Sequence, residues 1–107
     1  MEDNVEVALQ IVLNGGDARS KALKAIRSAR EGDLETAEKL MMESEEAILK
    51  AHQAQTSLIQ AEARGEHISL SLLMVHAQDH IMNAMTVKDL ANELIKEIEV
   101  RVKSTRS

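Results

Sequence analysis

The sequence contains no cysteine, no proline and no aromatic residue, and four glycines are the only strong punctuation in its 107 positions. Without cysteine there is no disulfide, thiolate metal ligand or thiol nucleophile, which fits a cytoplasmic address. Without Phe, Tyr or Trp the interior must be built from Leu, Ile, Val, Met and many alanines, side chains that let helices approach closely but bury little area each. A chain of this length hides only about two-thirds of its unfolded surface on folding. Its core is therefore thin, and sharing it with further copies is one way to offset that. A basic stripe is missing too: the formal net charge is -5 at pH 7, with Lys and Arg interleaved among Asp and Glu, which argues against nucleic acid and anionic membrane surfaces as partners. No window approaches the ~18 continuous apolar residues of a membrane span. The acidic stretch Met1-Glu2-Asp3-Asn4-Val5-Glu6 lacks the basic and apolar regions of a signal peptide.

What is present is helical periodicity. Gly32 and Gly65 divide the chain into three segments, each long enough for a substantial helix. The expectation is a single all-α domain over residues 1–107, an antiparallel three-helix bundle. The first helix, from about Val5 to Arg30, carries Ala18, Ala22, Ala25 and Ala29 beside Leu23 and Ile26. Gly15 and Gly16 interrupt it, each costing about 1 kcal/mol relative to alanine in a helix interior. That predicts a kink or restart with Asp17 as a local cap, or else a need for bare backbone close to a neighbour or ligand. In the second segment Asp33 is a candidate N-cap, with Glu35 and Glu38 near the positive end of the helix. Leu34, Ala37, Met41, Ser44, Ile48, Ala51, Gln55 and Leu58 then follow at alternating steps of three and four, a heptad seam with Ser44 and Gln55 as polar interruptions. The third helix starts near Ser69 or Ser71 and runs to about Lys103. Leu72, Met74, Val75, Ile81, Met82 and Met85 spread almost all the way round its first half, so it needs covering on more than one side. Two further helices cover only one, and the remainder predicts a subunit interface.

Into this apolar stretch the sequence places Val75-His76-Ala77-Gln78-Asp79-His80-Ile81-Met82. His76, Asp79, His80 and Asn83 share one helix face, while Gln78 points elsewhere. An unpaired buried carboxylate costs several kcal/mol, so Asp79 should be paired, protonated or bound to a cation. His76 and His80 have the spacing of a zinc-hydrolase helix, but the position of its general base holds Ala77. A di-iron bundle needs repeated Glu-x-x-His pairs, and Leu49 and Leu73 stand where those glutamates should be. Two readings remain open on spacing alone: an imidazole nucleophile that accepts a phosphoryl group, and a non-catalytic helical assembly in which the polar layer only fixes packing register.

Three stretches together, Gly16-Asp17-Ala18-Arg19-Ser20, Ala51-His52-Gln53-Ala54-Gln55-Thr56-Ser57-Leu58-Ile59 and His76-Ala77-Gln78-Asp79-His80-Ile81-Met82, resemble the lactose/cellobiose-type enzyme IIA proteins of the bacterial sugar phosphotransferase system over roughly Val5 to Val102. The resemblance implies a homotrimer with the third helices around a threefold axis. It implies phosphorylation of His76 on Nε2, with Gln78 and His80 in support. It places Asp79, one per subunit, around a shared divalent cation, commonly Mg2+, which would resolve the carboxylate problem. His52 and Gln55 match its second motif, where a buried structural hydrogen bond is the expected role. The partners it implies are phospho-HPr as donor and a cysteine of a IIB component as acceptor, in the uptake of a disaccharide of the cellobiose, lactose or diacetylchitobiose class.

Overall fold

The computed structural model describes the backbone of residues 2–106 and the side chains of residues 4–105. It consists of three helices, α1 (Glu2–Arg30), α2 (Leu34–Ala63) and α3 (Leu72–Arg106), packed into a rod 60 × 19 × 18 Å. Short connections make successive helices antiparallel. Contact is extensive between α1 and each of the other two helices, whereas α2 and α3 touch far less. The first helix is thus the spine of the bundle.

The two glycines that divide the chain work in the same way. Gly32 and Gly65 have φ of 90° and 89°, the left-handed conformation that glycine adopts without steric strain. At the end of α1, Gly32 N–H donates to the Ala29 carbonyl (2.9 Å) and Asp33 N–H to that of Ser28 (2.9 Å). At the end of α2, Gly65 N–H donates to Glu62 (3.0 Å) and Glu66 N–H to Ala61 (3.1 Å). Both are Schellman caps, which satisfy carbonyls that the last helical turn leaves open. Asp33 then serves twice, because its side chain accepts the Thr36 N–H at 3.0 Å and so caps the start of α2. Ser71 does the same for α3, accepting from the Met74 N–H at 3.1 Å.

Alanine carries the packing. Ala18, Ala22, Ala25 and Ala29 on α1, Ala37 and Ala51 on α2, and Ala77, Ala84 and Ala91 on α3 are all fully buried. The helices therefore approach closely and bury area by proximity. Most of the α2 seam is buried, namely Ala37, Met41, Ser44, Ile48, Ala51 and Leu58, joined by Ala47, while Leu34 and Gln55 are half-buried. At its middle, the Ser44 hydroxyl donates to the Ala18 carbonyl at 2.7 Å, which keeps this buried polar side chain satisfied.

At Gly15 and Gly16 the sequence expectation is half right. α1 runs through both without a restart, and Asp17 does not cap anything: it lies inside the helix and pairs with Lys21 at 3.2 Å. The close-approach alternative holds for Gly15 alone. A Cβ built there would lie 3.4 Å from both the carbonyl carbon and the oxygen of His80, whereas Gly16 has nothing within 4 Å.

Candidate functional site

The polar stripe of α3 sits on the side of the helix that the other two leave uncovered. Met74, Ala77, Ile81, Ala84 and Ala91 face inward and are buried. Opposite them, Leu72, Val75, Asp79, Met82, Thr86 and Leu90 follow one another in three- and four-residue steps and are exposed. Leu72 is 87% exposed, Met82 55% and Leu90 59%, so this face is apolar to either side of Asp79. His76 and Asp79 are both exposed in the single chain, and His80 is half-buried. The carboxylate problem posed by the sequence therefore does not arise within one chain. It would arise only if this face were covered.

His76 and His80 come together as one helical turn dictates. Their ring centroids are 4.4 Å apart with the planes at 72°, an edge-to-face contact. The half-buried His80 stands behind the accessible His76 ring and limits how it can turn. The main chain beneath His80 rests in turn on the bare surface of α1 at Gly15.

Gln78 belongs to a different surface. Its side-chain carbonyl accepts from the Gln55 amide at 2.6 Å, and its own amide reaches the Met74 sulfur at 3.6 Å. Both glutamines are half-buried where α2 and α3 meet. Gln78 is thus turned toward α2 and away from the His76 of its own chain. Gln55 has the expected structural hydrogen bond. His52 does not fulfil that expectation, because it is exposed: it lies one position past Ala51 of the seam, just beyond the buried stripe. Of the three methionines near the motif, Met74 is core, Met85 is half-buried and packs against it, and Met82 is on the open face.

Among the described residues no group of three or more His, Cys, Asp or Glu side chains is placed to hold a metal ion. Asp79 offers one carboxylate, a hard oxygen donor of the type Mg2+ accepts. A single chain thus has the right donor type but too few donors, and an ion at this position would have to be shared between copies.

The model of the family "PTS system, Lactose/Cellobiose specific IIA subunit" matches residues 6–99. The chain belongs to this IIA family. It is similar to the lichenan-specific phosphotransferase enzyme IIA component of Bacillus subtilis, 52% identical over 98 residues that cover 92% of this chain and 89% of the relative. The crystal structure of the PTS cellobiose-specific enzyme IIA from Bacillus anthracis superposes with a TM-score of 0.86 at 48% identity, covering 88% of this chain and 86% of that one. A solution structure of the IIA(chitobiose)–HPr complex from the N,N'-diacetylchitobiose branch of the Escherichia coli phosphotransferase system gives a TM-score of 0.76 at 39% identity, covering 88% and 91%. As a IIA component the chain is a phosphotransferase component of sugar transport. None of its described helices is long and apolar enough to cross a membrane.

Proposed function

We propose that this IIA chain is a cytoplasmic phosphocarrier that takes a phosphoryl group from phospho-HPr onto His76 and hands it to a cysteine of a IIB component, for uptake of a cellobiose-, lactose- or diacetylchitobiose-class sugar. The observation that carries this reading is an accessible imidazole, His76, braced edge-on by His80 within the run His76-Ala77-Gln78-Asp79-His80 of a IIA-family chain. Support for HPr as donor comes from the complex that the E. coli chitobiose relative forms with it.

The neutral Nε2 of His76 attacks the phosphorus of the donor phosphohistidine in line. The new N–P bond forms as the donor N–P bond breaks, and the departing imidazole keeps the electron pair of the broken bond. The thiolate sulfur of IIB then attacks the same phosphorus, an S–P bond replaces the His76 N–P bond, and His76 returns to its starting state. Such transfers proceed through a loose transition state in which positioning matters more than covalent assistance. Holding the His76 ring still is what this chain contributes.

The same proposal makes the uncovered face of α3 an interface between three copies around a threefold axis. Its exposed leucines, valine and methionine would be buried there, and three Asp79 carboxylates would meet. A shared divalent cation, Mg2+ by donor type, would neutralise their charge when bound. Gln78, which faces away from its own His76, would support phosphorylation only by reaching the site of a neighbouring copy.

The test is incubation with enzyme I, HPr and phosphoenolpyruvate, followed by intact-mass measurement. One acid-labile phosphoryl group per chain is expected, and none in His76→Ala. An unmodified wild-type protein under an active donor would leave only a helical assembly with a register-fixing polar layer.

A further inference from the structure

We infer that Gly15 is a positioning residue for the phosphoryl-accepting imidazole, acting through the main chain of His80; this rests on the proposed role of His76. The inward surface of α1 is built from Ala8, Ile11, Ala18, Ala22, Ala25 and Ala29, all but fully buried. Only at position 15 is the side chain missing altogether. That single bare level lies against His80: a Cβ would stand 3.4 Å from its carbonyl carbon, 3.4 Å from its carbonyl oxygen and 3.5 Å from Ile81 N. These are backbone atoms of a helix, which cannot swing aside as the end of a flexible side chain would.

Helix propensity favours alanine here as strongly as at the neighbouring levels, and local rules tend to be broken at functional sites. The glycine lets α1 seat directly on the peptide that carries the His80 ring, and the His80 ring meets His76 at 4.4 Å. A bare Cβ would meet these atoms at ordinary contact distance, whereas a side chain that extends beyond it presses on the His80 peptide, lifts α3 at this level and alters the angle at which His80 braces His76. Gly16, which meets nothing within 4 Å, has no part in this contact.

The experiment compares wild type, Gly15→Val, Gly15→Ser, Gly15→Ala and the control Ala25→Val, which overfills the same α1 surface near Ala91 and away from the histidines. Two quantities are read on each folded protein: the rate of phosphoryl transfer from phospho-HPr, resolved into kcat and KM, and the nuclear Overhauser contact between the His76 and His80 rings. Since a misplacement of about 1 Å can cost on the order of 100-fold, Gly15→Val should lose about that factor in kcat with little change in KM, together with the ring contact. Gly15→Ala, whose methyl meets the same His80 atoms at ordinary contact distance, should stay near wild type in both readouts, and Gly15→Ser, which adds one atom beyond that methyl, should show the valine split at a smaller loss and decides the matter if the valine variant does not fold. Ala25→Val should keep both readouts while losing thermal stability.

Wild-type values of both readouts in Gly15→Val or, where that variant does not fold, in Gly15→Ser, or equal losses in Ala25→Val, would overturn the inference. Should wild type itself fail to accept phosphate on His76, the proposed function falls, while the ring contact still decides whether Gly15 positions His80.

Discussion

Asp33 shows how much one side chain can do at a junction. It closes the Schellman cap of α1 through its N–H and opens α2 through its carboxylate. The bond from Thr36 holds that carboxylate below its ordinary pKa. A depressed pKa contributes stability that is present above the unfolded carboxylate value and lost as pH falls through the folded one. Asp33→Ala should therefore lower Tm at neutral pH, and the gap from wild type should close as thermal scans are taken down through the acidic range below about pH 4. Ser44 makes the complementary case in the interior. Ser44→Ala removes the bond to the Ala18 carbonyl and should cost about 1 kcal/mol in denaturant unfolding. Gly16→Ala should have the opposite sign: with open space for the methyl, the gain in helix propensity is about 1 kcal/mol.

At the scale of the elements, much of the fold was legible in the residues. Gly32 and Gly65 marked the two helix ends, Asp33 marked a start, and the three-four periodicity of α2 named its buried stripe except for Ala47, while counting in the half-buried Leu34 and Gln55. The continuity of α1 was not legible. Propensity predicts a break at two adjacent glycines, but Ile11 and Ala18 on either side are fully buried, and tertiary packing holds a helix together where propensity alone would not. The candidate site was visible as a face, with His76, Asp79 and His80 in one stripe and Gln78 off it. That Gln55 would meet Gln78 was not visible, because the register of α2 against α3 is set by packing through α1 and not by either helix's own period. His52 was misplaced for a similar reason: one position separates it from Ala51, and the width of a buried stripe depends on how closely the neighbouring helix approaches.

For the molecule as a whole, the lopsided covering of α3 matters most. One side is buried in alanine-lined contact, and the other presents Leu72, Val75, Met82 and Leu90 around a lone carboxylate. If three copies meet there, Asp79→Leu should keep or strengthen the trimer by replacing a charged layer with an apolar one, and Asp79→Lys should break it by stacking three cations. Sedimentation velocity reads both, and wild-type behaviour in both variants would remove Asp79 from the axis. The outline of the rod adds a consequence. At 60 Å long and under 20 Å across, copies joined flank to flank gain girth without reach, so scattering should report triple the mass at nearly the same maximum dimension. In such a trimer the three His76 rings would stand at one height, and a carrier protein departing from one of them would find the next by a short rotation instead of a new diffusive search.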